Sequence, residues 1–176
     1  ALSDTDSRKV SKQLHTIGDF ERIGDHAVNL WKAAEEIHEK DIHFSPQAEG
    51  ELRTLTAALK EILDITTRAF SEDSLSLAKQ VEPLEQVVDL LKKQLKSRHI
   101  ERLKRGECTT EMGFIFSDII TDCERVADHC SNIAVCLIQV HQDSFETHEY
   151  LNSLKNLDDK AFRTLYETYK EEYALP

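Results

Sequence analysis

The side chains in this sequence best suited to chemistry are carboxylates four residues apart, in the pattern E-x-x-x-D. This pattern occurs three times, as Glu21/Asp25, Glu85/Asp89 and Glu124/Asp128. On a helix such residues lie on one face, about 5–6 Å apart at Cβ, where two like charges repel each other by a few tenths of a kcal/mol. A bound cation removes that repulsion. Ligands that are all oxygen favour Mg, Ca, Mn or Fe, and Zn is also accepted. A lone pair of this kind is typical of a solvated helix face, so its context decides its meaning.

Two of the three pairs lie inside a repeat of eleven residues, Asp19–Asn29 and Asp122–Asn132. Six positions are identical between the copies: Asp19/Asp122, Glu21/Glu124, Arg22/Arg125, Asp25/Asp128, His26/His129 and Asn29/Asn132. All six share one offset of 103 residues, which indicates an internal duplication.

On a helical wheel the identical residues fall on one polar side, and an apolar stripe occupies about the next 100°. An amphipathic helix has to keep its apolar stripe, but it does not need the same carboxylates, arginine, histidine and asparagine twice. Their recurrence on the polar side therefore predicts ligand binding more than packing.

The other repeated side chains allow alternative roles. Arg22 and Arg125 could receive phosphate through a bidentate contact, but we favour a role in positioning a carboxylate by an ion pair three residues on. His26 and His129 could bind metal, although a half-buried histidine that hydrogen-bonds across a helical bundle is the favoured interpretation.

The repeated asparagines and the first aspartates complete this set of supporting residues. Asn29 and Asn132 are expected to hydrogen-bond neighbouring helices. Asp122 also forms a D-x-x-x-D pair with Asp118, but His15 replaces the first aspartate in the other copy. We therefore rank Asp118 and Asp122 below the E-x-x-x-D pairs as metal ligands, and Asp19 and Asp122 are counted as supporting residues.

The motif E-R-[I/V]-[G/A]-D-H followed by Asn, in two copies about a hundred residues apart, resembles the PhoU family of phosphate-signalling regulators. The run Leu14–Asn29 is more similar still to the cytoplasmic PhoU-like domain that follows the membrane part of bacterial sodium/phosphate cotransporters. The resemblance extends from about Ser3 to about Val140. It implies a non-catalytic, all-helical regulatory domain that binds metal clusters through paired carboxylates and modulates phosphate uptake or signalling.

The resemblance also implies which pairs belong together in a metal site. Glu85, Asp89, Glu124 and Asp128 would form the second site. Glu21 and Asp25 would form half of the first site, whose partner pair lies outside this chain. The expected cofactor is one or more divalent or trivalent ions, with Fe, Zn, Mn, Mg and Ca as candidates.

Five helices would position these residues, and the expected fold is an all-α PhoU-like bundle. The predicted helices span about 6–38, 46–70, 75–104 and 110–141, with a fifth from a Ser144 cap to about Tyr169; Pro83 either kinks the third or marks its start. The 103-residue offset aligns the first two helices with the last two. We expect one domain over residues 1–176, built as two tandem three-helix units: a partial repeat of about 1–71 that lacks its first helix, and a repeat of about 72–174.

Composition limits the partners of this chain. A formal net charge of −11 over 176 residues argues against nucleic acid. No apolar run approaches the ~18 residues that span a bilayer. The four cysteines, in no C-x-x-C pattern, are interpreted as core thiols of a reducing compartment.

With the resemblance, these features predict a cytoplasmic domain tethered to the inner face of the membrane. Its partner would be the membrane transporter portion of the same polypeptide or a phosphate transport or signalling protein, and a homodimer is a further expectation.

Two other classes of function stay open at this level. The first is a structural interaction module whose repeated faces pair helices without metal. The second is a carboxylate-bridged oxidase, for which the single E-x-x-H at Glu35 and His38 gives poor support because such bundles need two copies. The basic segment Lys92–Arg105 stands apart as a candidate contact for anionic lipid or an acidic partner.

Overall fold

The computed structural model describes residues 3–143 and 148–176, and within those ranges it contains only α-helices. They are α1 (Asp4–Glu39), α2 (Pro46–Ser71), α3 (Leu75–Lys104), α4 (Thr110–Asp143) and α5 (His148–Glu172). The predicted all-α fold is confirmed, and the bounds of the first four helices lie within a few residues of those expected. The predicted cap at Ser144 lies outside the described residues.

Local sequence explains where the helices begin and end. Ser45 caps α2 by accepting a hydrogen bond from the backbone of Ala48, and a proline follows at the first helical position. Asp41 and Asp73 adopt positive φ angles of 50° and 49° in the turns after α1 and α2, a conformation that aspartate tolerates better than most residues. Gly106, with φ of 68°, ends α3 in the same way.

Pro83 lies inside α3, and the helix continues through it. The proline removes one backbone donor, but packing compensates, because Pro83 is buried and its neighbours Val81 and Leu84 are fully buried in the core. The continuous helix keeps Glu85 and Asp89 four residues apart on one face, as their proposed role requires.

The core lies among α2, α3 and α4, which pack against one another. Its largest fully buried side chains include Leu55 and Ile62 of α2, Leu91 of α3, and Phe116 and Ile120 of α4. Each such side chain contributes about 1.5–3 kcal/mol through burial. Cys123 and Cys130 also fill this core as free thiols, and burial raises their pKa values to about 12 and about 11.

The outer helices each attach to one side of this core. Helix α1 packs antiparallel along α4, and Lys40 at its end lies 2.6 Å from Glu111 at the start of α4. Helix α5 packs on α3. Among the described residues, α2 packs mainly on α3 and α4, and it touches α1 where the rings of Phe20 and Phe70 lie 5.1 Å apart.

A buried ion pair joins the core helices to the end of the chain. Glu51 of α2 is fully buried, with its two carboxylate oxygens 3.1 Å from Arg98 and 2.9 Å from Arg102 of α3. The Arg102 contact is a close ion pair without hydrogen-bond geometry. Arg98 also donates a hydrogen bond of 2.7 Å to the backbone oxygen of Pro176. One glutamate therefore connects α2, α3 and the segment after α5.

Candidate functional site

The two copies of the eleven-residue repeat meet where α1 crosses α4. Nδ1 of His26 donates to Oδ1 of Asp122 over 2.7 Å, and Nδ1 of His129 donates to Oδ1 of Asp19 over 2.9 Å. Each histidine thus binds the first aspartate of the other copy. The four side chains are about four-fifths buried, so these charge-assisted hydrogen bonds are protected from solvent.

Asparagines and ring stacking complete this histidine–aspartate network. Nδ2 of Asn29 donates to Asp122 at 3.3 Å, and Nδ2 of Asn132 donates to Asp19 at 3.2 Å. The imidazole rings of His26 and His129 stack with their centroids 5.7 Å apart and their planes at 30°. The matched distances show that the two copies are related by a local twofold axis at this crossing.

This network corrects one inference from the sequence. The recurrence of all six positions predicted ligand binding more than packing, yet the aspartate, histidine and asparagine of each copy satisfy those of the other, as the favoured roles of the histidines and asparagines had indicated. Their recurrence follows from helix packing, because each copy supplies the partners that the other needs. Only the glutamate, the arginine and the second aspartate of each copy remain available for a ligand.

The two repeated arginines lie beside the second aspartates. Arg22 is 3.8 Å from Asp25, and Arg125 is 3.7 Å from Asp128, each at a spacing of three residues along its helix. All four side chains are at least one-third exposed, so each ion pair adds little stability. This geometry matches the positioning role expected for the arginines.

The carboxylates of α3 and α4 meet along one seam between the two antiparallel helices. Burial, followed by the charges of Glu82 and Asp128, raises the pKa of Glu85 to about 7, and Glu85 also hydrogen-bonds Asp128. Burial and the charge of Glu124 raise the pKa of Asp128. Asp89 adds a smaller repulsion to Glu85. The structure therefore brings the predicted second set of four ligands to one seam, which we call the carboxylate seam.

Two lysines partly neutralise this seam. Nζ of Lys92 lies 2.8 Å from Oε2 of Glu124, and Nζ of Lys93 lies 2.6 Å from Oδ2 of Asp89. Within the described ranges, no group of three or more histidine, cysteine, aspartate or glutamate side chains is arranged to hold a metal ion. In this conformation the lysines, and not a closed ring of oxygens, balance the negative charge.

The carboxylates of the first copy, Glu21 and Asp25, are more exposed to solvent than those of the carboxylate seam. Glu21 and Asp25 are exposed on the side of α1 that faces away from α4, and the side chain of Asp25 is 60% exposed. Among the described residues α1 packs along α4 and touches α2 through the rings of Phe20 and Phe70, and neither contact forms a cluster of possible metal ligands around Glu21 and Asp25. The pair therefore forms at most half of a site here, in line with the expectation.

The seam also contains three residues that the sequence did not identify as site residues: Glu82, Lys92 and Ser131. Glu82 lies one turn before Glu85 and accepts a hydrogen bond from Ser131 of α4. Lys92 pairs with Glu124 across the helices. None of these three belongs to the identical positions, so the repeat could not reveal them. Only the i,i+3 spacing of Glu82 and Glu85 indicated an acidic face.

The central part of the chain is similar to known proteins. Residues 52–137 match the model of the PhoU domain. Over 122 residues the chain is 27% identical to the phosphate-specific transport system accessory protein PhoU homolog 1 of Thermotoga maritima, a stretch that covers 69% of this chain and 52% of that protein. The chain thus spans about half the length of the curated relative that it matches. No solved structure matches it significantly.

These comparisons support a PhoU-like domain, and the five-helix architecture is consistent with a bundle of that kind. The matched region, residues 52–137, contains α3 and most of α2 and α4, including the whole carboxylate seam. The relative is an accessory protein of a phosphate transport system by its name. Separately, none of the described helices is long and apolar enough to cross a membrane.

Proposed function

We propose that this chain is a non-catalytic regulatory domain of a sodium/phosphate transport system that binds metal at the carboxylate seam. The crowding of Glu85, Glu124 and Asp128 between α3 and α4 is the observation that supports this proposal best. Four carboxylates on two packed helices are stable together only when protons, lysines or a cation balance their charge.

The donor set of the seam fits a metal ion with a preference for oxygen. Glu85 and Asp89 would bind from α3, and Glu124 and Asp128 from α4. Binding would require Lys92 and Lys93 to leave Glu124 and Asp89, which the flexible four-carbon lysine stems allow, although only Lys93 is mostly exposed. A bound divalent or trivalent ion would supply positive charge and would fix α3 against α4. Arg125 would hold Asp128 in place beside it.

The proposed role in transport is supported by the similarity to the Thermotoga accessory protein. It is also supported by the run Leu14–Asn29, which resembles the cytoplasmic PhoU-like domain of bacterial sodium/phosphate cotransporters. In this proposal the domain lies at the cytoplasmic face of the membrane. It contacts either the transporter portion of its own polypeptide or a separate transport or signalling protein. An opposing carboxylate pair supplied by that partner, or by a second copy of the chain, would complete the half-site at Glu21 and Asp25.

Metal binding can be tested by comparing the two copies of the repeat. Purified chain is titrated with Mn²⁺ and Zn²⁺ in a calorimeter, and the metal content of protein prepared without chelator is measured by mass spectrometry. The doubly substituted variant Glu124→Gln/Asp128→Asn should lose binding. The matched variant Glu21→Gln/Asp25→Asn removes the same residue types from the exposed pair and should retain it. Equal binding by all three proteins, or no binding by the unaltered chain, would reject the seam as a metal site.

The second candidate, a structural interaction module without metal, is favoured by the histidine–aspartate network. That network shows that half of the repeated polar residues serve packing. The same titration separates the two functions. A structural module should show no metal-dependent rise in melting temperature, whereas a seam that binds metal in the folded state alone gains about 2.7 kcal/mol at a hundredfold excess over the dissociation constant.

A further inference from the structure

An apolar cleft lies at the corner where α3 ends and α4 begins, away from the carboxylate seam. Its volume is about 240 Å³. Most of its surface is apolar and comes from the two helices, and its lining side chains include Lys96, His99, Ile100, Leu103, Phe114 and Phe116. Gly113 forms part of the wall. No role in the seam or in the histidine–aspartate network accounts for this cleft.

Three large apolar side chains at the rim of the cleft are exposed to solvent. Phe114 is 69% exposed, and Ile100 and Leu103 lie more than one-third exposed beside it. An exposed phenylalanine next to an open apolar cleft is a common feature of surfaces that bind another protein. The three side chains come from the facing ends of α3 and α4, so they form one continuous rim.

His99 gives the cleft a specific polar group. The residue is 5% exposed, and neither ring nitrogen has a hydrogen-bond partner among the described residues. Its ring stacks on Phe116 with centroids 4.4 Å apart, and a Cβ added to Gly113 would lie 3.3 Å from Nε2. Burial, with the nearby charge of Arg102, lowers the pKa of His99, which keeps the ring neutral. A buried neutral imidazole has one donor and one acceptor to satisfy, and an incoming hydroxyl group can serve either.

Basic side chains surround the same corner. Lys96 lines the cleft, and the described residues place no ion pair on it. Lys104 and Arg105 follow at the end of α3, paired only with exposed glutamates. The formal net charge of the chain is −11, so this corner, where basic side chains are concentrated, differs in charge from the rest of the chain. Its positive charge favours an acidic partner.

We propose that this corner docks an acidic amphipathic helix of a partner protein, with one tyrosine of that helix inserted into the cleft. A volume of about 240 Å³ is below the roughly 300 Å³ at which small-molecule pockets begin, and it suits a single aromatic side chain. The ring would pack on Phe114 and Leu103, and its hydroxyl would hydrogen-bond Nε2 of His99 after a small rotation of the imidazole, since that nitrogen is covered in the free chain. Carboxylates of the same helix would face Lys96, Lys104 and Arg105. Buried aromatic residues of this kind supply most of the binding energy in many interfaces.

The test uses the complete chain labelled with ¹⁵N and an alanine-based helical peptide of about 16 residues. The peptide has one central tyrosine, with glutamates three and four residues away on the same face. We expect its addition to shift the amide resonances of His99, Gly113 and Phe114, with weaker binding as salt is raised. Replacing the tyrosine by phenylalanine should weaken binding about threefold to tenfold through the lost hydrogen bond, and replacing it by alanine should abolish binding.

Variants of the chain locate the contact. Phe114→Ser should weaken peptide binding at least about tenfold, because it removes an aromatic contact at the rim of the cleft. Val135→Ser is the matched control, since Val135 is also exposed on α4 but lies ~30 Å further along that helix. Both positions are on the surface, and circular dichroism establishes that both variants keep the fold. Lys96→Gln should reduce the dependence of binding on salt.

Several outcomes would overturn this proposal. They are an absence of shifts at millimolar peptide, equal binding by the tyrosine and alanine peptides, and equal effects of Phe114→Ser and Val135→Ser. Co-sedimentation of the chain with phosphatidylglycerol vesicles, lost in Phe114→Ser, would identify a lipid surface in place of the helix and would also overturn it. The peptide titration is done without metal, so its result does not depend on whether the carboxylate seam binds an ion.

Discussion

At the scale of single residues, one carboxylate oxygen in each copy of the repeat accepts two hydrogen bonds. Oδ1 of Asp122 accepts from His26 and from Asn29, and Oδ1 of Asp19 accepts from the matching pair. An aspartate suits this position because an ionised carboxylate only accepts. Its removal would leave a partly buried histidine and an exposed asparagine without this acceptor.

Asp122→Ala should therefore lower the free energy of unfolding by about 1–3 kcal/mol, because His26 and Asn29 lose their acceptor. Urea denaturation measures the change. Asp118→Ala, which removes an exposed aspartate from the same helix, should have an effect of less than about 0.5 kcal/mol. If the two substitutions cost the same, the network contributes nothing to stability.

The second prediction at this scale concerns Glu85 and pH. The pKa of Glu85 in the folded chain is about 7, whereas its ordinary value is 4.5. Between these two values the folded state binds a proton that the unfolded state has lost, so this group makes the fold less stable as pH rises through that window. Below it both states are protonated and the contribution of Glu85 is complete.

Glu85→Gln mimics the protonated side chain and should remove this loss. The difference in melting temperature between Glu85→Gln and the unaltered chain should grow in favour of the variant as pH rises from about 4.5 to about 7. Differential scanning calorimetry at several pH values provides the comparison. A difference that stays constant over this window would show that the seam does not raise the pKa of Glu85.

The sequence identified the repeated polar residues, but it did not show which residues they bond to. Spacing alone placed the repeated residues on one polar side of each helix, and the structure brings both histidines and both asparagines into hydrogen bonds across the bundle. The residue that accepts each of these hydrogen bonds was not predictable, because it depends on the register of α1 against α4. The same holds for Lys92, whose bond to Glu124 depends on the register of α3 against α4.

At the scale of elements, the buried ion pair of Glu51 connects α2 to α3. Glu51→Ala removes the counter-charge of the buried Arg102 and the half-buried Arg98, and breaking a buried pair from one side costs about 3–5 kcal/mol. We expect a loss of that order in urea denaturation. Glu49→Ala, two residues earlier, breaks only an exposed contact with Arg53 and should cost less than about 1 kcal/mol. Similar losses in both variants would contradict the importance of the buried pair.

Helix boundaries were predictable because their causes are local. Ser45 with the following proline, and Gly106, act through the backbone of their own turns. The packing partners were not predictable from the same information. Glu51 occupies an ordinary position in an amphipathic helix, and only the tertiary arrangement shows that it is fully buried between two arginines.

At the scale of the whole molecule, the two copies of the duplication have different surroundings. Ile17 of α1 and Ile120 of α4 are equivalent by the offset of 103 residues. Ile17 is 60% exposed, whereas Ile120 is 1% exposed in the core that α4 forms with α2 and α3. The division of residues 1–176 into two tandem units stays a prediction, but this contrast shows that only one copy lies within the core.

Alanine at each of the two equivalent positions tests this asymmetry. Ile120→Ala should lower the free energy of unfolding by about 2–5 kcal/mol, because it leaves a cavity in the core. Ile17→Ala should change it by less than about 0.5 kcal/mol, because its side chain is mostly in solvent. Thermal denaturation of both variants under identical conditions gives the comparison. Equal losses would mean that α1 is covered on its outer face in solution.

The local twofold axis between His26 and His129 has a consequence for the origin of this architecture. The contacts across it are self-complementary, since the side chain that one copy offers is the side chain that the other copy needs. An isologous homodimer of a shorter, unduplicated ancestor would have formed the same contacts between two polypeptides. Fusion of two such genes would turn an assembly that depended on concentration into an intramolecular one, and the contacts at the axis would then be kept within one chain.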